Sequence, residues 1–435
     1  MSTSLLSSST TLPKSSLLTF LFSLLCFCVT CQENVQKGGN LTTNDRQHLD
    51  KPYVILISLD GYRYDYTERF QPPHLSKFIK EGVQAESMLP CFPSKTFPNH
   101  YSIATGMYPE NHGLINNTFY DPEKDAIYKI SDRKKVTDGN WYSGTPIWVQ
   151  AAKSGMVTAS YFFVGSEANI QGIHPTYYYD YNGSVPNGER TRQVIEWLQL
   201  PEYQRPHLIT MYFSDMDDTG HRAGPNDDKA LKKTLFQLDK TLGHFFQKLE
   251  KLNLPINVII VSDHGMEEVP TENYIPAELL EDDEHYKTVN GGATLHFHLK
   301  DKAAIESVYK MLKAKKGNFK IYKTKDSPYY SSNQDNPRIG ELIAVVDHNY
   351  YFMSARRISF LKASGDKTGG QHGFAIDNKN IEAIFYANGS HFQSGLTVPS
   401  FENIHVYPLI CEILGLEVPE EVDGKLEVLA PILKQ

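Results

Sequence analysis

The sequence predicts an α/β sandwich with a mainly parallel central sheet flanked by helices. Three observations carry this. Several short runs rich in β-branched and aromatic residues are apolar almost throughout: "YVILISLDG" (53–61), "VTASYFFVG" (157–165), "HLITMYFSDMD" (207–217), "NVIIVSDHG" (257–265) and "IEAIFYANG" (381–389). Runs of this kind suit parallel strands buried on both faces. Between them lie helical patterns such as "DKALKKTLFQLDKTLGHFFQKLEKL" (228–252), with apolar residues at helical spacing and lysines near the end; this alternation defines the class. The third observation is that Asp and His gather where the apolar runs stop, and in open parallel sheets ligands lie outside the carboxyl ends of the strands.

From the N-terminus, residues 15–30, "SSLLTFLFSLLCFCVT", form an apolar run behind Lys14, short for a membrane span and placed like a secretory h-region. The expected layout is therefore a signal peptide over 1–30, a flexible tether over 31–51 and one body over 52–430. Export follows, to the extracellular space, the periplasm or the outer face of a membrane, with no transmembrane helix expected in the mature chain. Cys31 stands where a bacterial lipoprotein is lipidated, although Thr30 departs from the usual small residue before it. A lipid anchor at Cys31 and plain secretion both stay open.

Cys91 and Cys411 are the cysteines left in the body, too few for a disulfide framework; a pair and two buried thiols are both compatible with that. Asn40, Asn116, Asn182 and Asn388 begin glycosylation sequons. The stretch 285–350 has strand-like pieces around a helical one and reads as an inserted or edge subdomain. With 435 residues, 40% of them hydrophobic and 22% charged, the chain can bury a full core. Its net charge of -8 offers no field to hold a polyanion, so any phosphate chemistry must come from a local cationic site.

Candidates for such a site sit at the strand ends. Asp60, Asp217 and the adjacent Asp263 and His264 each close an apolar run, and His221 follows Asp217 by four residues. Sharing one ion between Asp263 and His264 requires a turn, which Gly265 permits. His372 lies in the glycine-flanked "TGGQHGF". Each residue alone has an ordinary reading as a cap or loop side chain. Together, three Asp and three His on one edge, with no thiolate, suit two Zn²⁺ ions. In "CFPSKTFPNHYSIATG" (91–106) a helix is expected from about Thr96, since Pro98 is tolerated in a first turn and Gly106 ends the pattern. A Thr96 hydroxyl at that helix start would lie where a phosphoryl group is welcome, or would act merely as an N-cap.

These residues resemble the nucleotide pyrophosphatase/phosphodiesterase family of the alkaline-phosphatase-like superfamily. The resemblance runs through "VILISLDGYR", "PSKTFPNHYSIATGMYPENHG", "GTPIW", "YNGSVP", "YQRPHLITMYFSDMDDTGH", "VSDHGM", "GGQHGF" and "FENIHVYPLICEILGL", over roughly residues 52–424. It implies that 52–430 is a phosphodiesterase catalytic domain with an alkaline-phosphatase-like sheet. It also implies one zinc held by Asp60, Thr96, Asp263 and His264, another held by Asp217, His221 and His372, and Thr96 as nucleophile. Asn117 matches the asparagine that holds a phosphoryl oxygen, Phe97 and Tyr181 match the rings that sandwich a base, and Lys95 would add secondary attraction. The implied reaction is hydrolysis of nucleoside triphosphates and nucleotide diesters to nucleoside 5′-monophosphates through a phospho-threonine, with a small nucleotide as partner and no stable nucleic-acid complex.

Three other readings are weighed against it. A phosphodiesterase acting on choline-phosphate or lysophospholipid diesters would share the metals and the threonine, but residues 162–186 resemble those of nucleotide-cleaving members. A sulfatase would use a modified cysteine about nine residues before a Thr-Gly pair; Cys91 lies fourteen before Thr105, whereas Thr96 lies nine before it, and Lys95 does not replace the motif's arginine. A non-catalytic binding protein would be expected to have lost a ligand or the nucleophile, and every matching position is filled.

Overall fold

The computed structural model describes residues 35–365 and 368–434. The expected signal peptide and Cys31 lie outside the described residues. Nine strands form the main sheet, in the order Lys37–Gly38, Tyr177–Tyr179, Thr158–Tyr161, Leu208–Phe213, Tyr53–Leu59, Ile256–Val261, Phe385–Gly389, Val83–Ala85 and Leu396–Val398. Five consecutive strands, from Tyr177–Tyr179 to Ile256–Val261, are mutually parallel. All seven residues of Tyr53–Leu59 are buried because alternate side chains enter two different cores. Val54 and Leu56 pack with Tyr101, Trp148 and the helix Val406–Leu414, while Ile55, Ile57 and Leu59 pack with Leu235, Leu242 and Phe245 of the helix Asp228–Glu250. A strand apolar on both faces shows no period-two alternation, which is why the run reads as continuous.

Register decides where the site lies. Leu59 pairs with Phe213 and Ser58 with Val261, so three neighbouring strands end level at one edge and their next residues emerge together.

Two expectations need correction. Phe385–Gly389 is antiparallel to its neighbour, with Val261 opposite Phe385 and Asn257 opposite Gly389. Its chain arrives from the site edge, where Gly265 N–H donates to the Ile381 carbonyl at 2.7 Å, and so must run the other way. Residues 35–51, read as a flexible tether, are docked. Lys37–Gly38 pairs antiparallel with Tyr177–Tyr179, Asn44 donates to the carbonyls of Glu202 and Arg205 and accepts from Val157 N–H at 2.7 Å, and buried His48 bonds the Ser154 carbonyl. Polar side chains that satisfy another segment's backbone look the same in a sequence as solvated ones.

The subdomain expected near 285–350 is a four-stranded antiparallel sheet ordered Tyr286–Asn290, Thr294–Leu299, Leu342–Val346 and Phe319–Lys323, with the helix Ile305–Lys313 and a core of its own. Its near end supports the site: Asn116 is buried and donates to Thr294 Oγ1 at 3.1 Å, which leaves no room for a glycan on that sequon in the folded chain. Cys91 and Cys411 are buried free thiols, and burial pushes both up from the ordinary thiol range. No helix of the described residues is long and apolar enough to cross a membrane.

Candidate active site

Asp60 follows the strand Tyr53–Leu59, Asp217 and His221 ride on the helix Asp215–Ala223, and Asp263 and His264 follow Ile256–Val261. His372 is delivered by the strand Thr368–Gln371, which pairs antiparallel with Glu267–Pro270 just beyond His264. Gly61 allows the first two carboxylates to approach: its φ is 66°, and a Cβ there would lie 2.7 Å from Asp217 Cα. All six Asp and His residues therefore meet at one edge, in groups whose ligand atoms lie within 4.8 Å of one another.

His264 Nε2 stands 3.0 Å from Asp263 Oδ2, 3.4 Å from Thr96 Oγ1 and 3.6 Å from Asp60 Oδ1. Asp217 Oδ1 stands 3.4 Å from His221 Nε2 and 3.9 Å from His372 Nε2. Donors on a tetrahedral ion with bonds near 2.0 Å are separated by about 3.3 Å, so both sets have the spacing of ligands around a small cation.

Hydrogen bonding points the same way. The three rings each use Nδ1 on a backbone carbonyl, His221 on Gly370, His264 on Gly265 and His372 on Ser94, at 2.8 to 2.9 Å. Nδ1–H therefore donates, and Nε2 keeps its lone pair for the site, the arrangement that orients metal-binding histidines. Tyr212 donates to Asp60 Oδ2 at 2.6 Å and Gly61 N–H to Asp263 Oδ1 at 3.2 Å, while Asp60 Oδ1, Asp263 Oδ2 and Asp217 Oδ1 are buried without a hydrogen-bond partner. Buried carboxylate oxygens left bare are costly unless a cation answers them. Burial, and then the charges of Asp263 and Asp217, push the Asp60 carboxyl well above the carboxylate range. Burial also pushes Asp263 up, but the His264 and His100 rings outweigh it and hold that carboxyl well below its usual value. The set fits divalent metal.

Thr96 opens the helix Thr96–Thr105, which Gly106 ends at φ 69°. Lys95 occupies the cap position, so Thr96 is the first helical residue, and its hydroxyl faces His264. Asn117 is half-buried; its Oδ1 accepts from Phe97 N–H at 2.9 Å, which turns its NH₂ away from that bond. Lys95 Nζ donates to the Tyr351 hydroxyl at 2.6 Å, and burial pushes its ammonium down to about 7. The Phe97 ring packs near Tyr128, at 6.3 Å between centroids, and Tyr181 packs against Phe162 and Tyr212 at 5.4 and 6.0 Å with 42% of its surface exposed.

Sequence reasoning missed the side chains that hold these in place. His100, fully buried, accepts from or donates to Ser58 Oγ at 2.7 Å through Nε2, while its Nδ1 lies 2.9 Å from the Thr96 carbonyl and 3.3 Å from Asp263 Oδ2. It ties the start of the nucleophile's helix to the strand Tyr53–Leu59. The four-residue spacing from Thr96 to His100 on one helix face was the available signal; for Tyr212 there was none, because strand alternation reveals a face and not a partner. His100→Ala strands the Ser58 hydroxyl, while the Thr96 carbonyl keeps its helical bond to the residue-100 N–H, and it is expected to lower unfolding free energy by about 1–3 kcal/mol, the cost of one buried group left unpaired. Urea denaturation measures this, and a loss below about 0.5 kcal/mol would show that the hydroxyl finds another partner.

The sequence matches the family model described as type I phosphodiesterase / nucleotide pyrophosphatase over residues 54–375. The chain belongs to this family. Human ectonucleotide pyrophosphatase/phosphodiesterase family member 1 is 37% identical to it over 397 residues, covering 88% of this chain and 42% of the relative. A venom phosphodiesterase of Crotalus durissus collilineatus is 35% identical over 395 residues, covering 88% of this chain and 46% of the relative. The chain thus spans less than half the length of these curated relatives. Among solved structures, murine ectonucleotide pyrophosphatase/phosphodiesterase 5 superposes with a TM-score of 0.80 at 28% identity, covering 88% of this chain and all of that one. The same murine protein, in an inactive threonine-to-alanine form in complex with AMP, superposes equally well at 27% identity. The central sheet of this phosphodiesterase family member is thereby of the alkaline-phosphatase-like kind.

Proposed function

We propose that the chain is a two-zinc phosphodiesterase that hydrolyses nucleoside triphosphates and nucleotide diesters to nucleoside 5′-monophosphates, with Thr96 as the nucleophile. The observation that carries this is the Thr96 hydroxyl at 3.4 Å from His264 Nε2, inside a ring of buried carboxylate oxygens without partners. Asp60, Thr96, Asp263 and His264 would hold one ion and Asp217, His221 and His372 the other. When bound, two zinc ions supply Lewis-acid polarisation of the phosphoryl oxygens and a lowered pKa for the hydroxyl.

The chain's own residues do the rest. Thr96 Oγ1 attacks phosphorus in line with the leaving group, whose bond breaks as the phospho-threonine ester forms. Asn117 offers its NH₂ to the phosphoryl oxygen on which charge develops. His100 holds the Thr96 carbonyl, so the nucleophile does not reorganise as it reacts. Water then enters from the vacated side, breaks the Thr96–phosphorus bond and releases the monophosphate. Phe97 and Tyr181 stack the base, and Lys95 adds attraction at longer range. The names of the ecto-type relatives support action outside the cytoplasm after removal of 1–30, and both lipid attachment at Cys31 and plain secretion are compatible with that.

A substrate panel tests this reading: ATP, a thymidine phosphodiester chromogen, glycerophosphocholine, a lysophospholipid and an aryl sulfate, compared by kcat/KM. The nucleotides are expected to lead. Base–aromatic stacking is worth about 1–3 kcal/mol per base, so Tyr181→Ala is expected to cut kcat/KM for nucleotides by roughly ten-fold or more while bis-(p-nitrophenyl) phosphate loses far less. Equal losses on all substrates would make Tyr181 a packing residue. A wild-type preference for the choline ester would overturn the nucleotide assignment.

A further inference from the structure

The aromatic end of this cleft carries a negative charge that a site for polyanions would not be expected to present. Asp218 follows Asp217 in the first turn of the helix Asp215–Ala223, and it is exposed. Ser214 Oγ donates to Asp218 Oδ2 at 2.9 Å. Ser214 follows Tyr212 by two residues just past the strand Leu208–Phe213, and Tyr181 packs at 6.0 Å on Tyr212, whose hydroxyl holds Asp60. Tyr181, packed on Tyr212, and the Ser214–Asp218 pair that follows the same strand therefore lie along one rim beside the carboxylate cluster.

The other acids of this rim are answered. Asn187 Nδ2 lies 2.9 Å from both oxygens of Asp215, Glu167 pairs with Arg133, and Asp180 pairs with Lys37. Among the described residues no lysine or arginine pairs with Asp218. Arg190, behind Tyr181 and Phe162, is buried and spends its guanidinium on the carbonyls of Tyr212 and Val185, while Lys95 lies against Gly373 next to His372, where an added Cβ would come within 2.4 Å of Lys95 Cε. Asp218 is thus an exposed acid near Tyr181 that no described cation pairs with.

An exposed carboxylate with a free oxygen accepts hydrogen bonds from hydroxyl and amino groups and repels phosphate. Stacking on Tyr181 cannot supply that discrimination, because a ring face does not sense what the sugar carries. We infer that Asp218 is a specificity-determining residue that admits nucleosides with free ribose hydroxyls and disfavours those bearing a further phosphate on the ribose. The inference rests on the nucleotide phosphodiesterase reading above and deepens it.

The test compares 3′-dephospho-coenzyme A with coenzyme A, which share one pyrophosphate and differ by a single ribose phosphate, together with a thymidine phosphodiester chromogen. Wild-type enzyme is expected to favour the dephospho form by roughly three- to ten-fold in kcat/KM at low salt, with the preference shrinking as salt rises. Asp218→Asn is expected to bring the ratio close to one, and Asp218→Lys to reverse it. The ratio is read within each variant, so a general change in activity or folding cancels, and Asp218→Ser serves should the asparagine variant be poorly soluble. A wild-type ratio near one, or a ratio that Asp218→Asn and Asp218→Ser leave unchanged, overturns the inference while chromogen turnover upholds the nucleotide reading. Failure to hydrolyse the chromogen and both coenzymes overturns that reading and the inference with it.

Discussion

Thr96→Ala is expected to lower turnover of a thymidine phosphodiester chromogen by roughly a thousandfold or more, the scale of loss when a covalent nucleophile is removed. The effect should fall on kcat rather than on the fold. Thr96 is the first helical residue and caps nothing, since Lys95 holds the cap position and no side chain bonds the helix start there. Removing its hydroxyl therefore breaks no backbone contact, and the thermal midpoint should move by no more than a few degrees. Thr96→Ser keeps the hydroxyl and should retain a sizeable part of the rate, whereas Cys91→Ala should change it little, because that thiol is buried against Asn403 and pushed up by its surroundings. Near-normal rates in Thr96→Ala with loss in Cys91→Ala would reverse the assignment.

Exhaustive chelation is expected to abolish turnover and lower the thermal midpoint, and added Zn²⁺ to restore both. The stability change has its own cause. Asp60 Oδ1, Asp217 Oδ1 and Asp263 Oδ2 are buried without hydrogen-bond partners, so a cation that binds the native chain and not the unfolded one offsets their desolvation. At free metal a thousand times the dissociation constant this linkage is worth about 4 kcal/mol. Elemental analysis of the restored protein should give two zinc ions per chain. Full activity in protein shown to hold no divalent metal would overturn the metal assignment, and a single ion would remove either the Asp217, His221 and His372 set or the set around His264.

Much of this site was legible because its signals are local. Apolar runs leading to Asp60, Asp217 and Asp263 read as parallel strands that release their ends at one edge, so three chain-distant carboxylates could be brought together without knowing the register, although Asp217 sits past its strand's end at Phe213, in the first turn of the helix Asp215–Ala223. Pro98 and Gly106 bracket a helix for steric reasons that any chain obeys, and the structure starts it at Thr96. The supporting residues were not legible. Apart from the four-residue spacing of His100 from Thr96, nothing marks them: the His100 bond to Ser58 and the Tyr212 bond to Asp60 span 42 and 152 residues, and no local pattern records such a partner.

By itself the sequence determined the class of sheet, the identity of the residues at its carboxyl edge and the helix that presents Thr96, because hydrophobic periodicity and backbone sterics act within a few residues. Tertiary structure alone decided that Phe385–Gly389 runs against its neighbours, that 35–51 is packed rather than loose, and that Asp218 is bonded through one oxygen by Ser214 while Asn187 reaches both oxygens of Asp215. Those outcomes depend on which distant donor or strand reaches a group first, and that is settled only when the whole chain closes on itself.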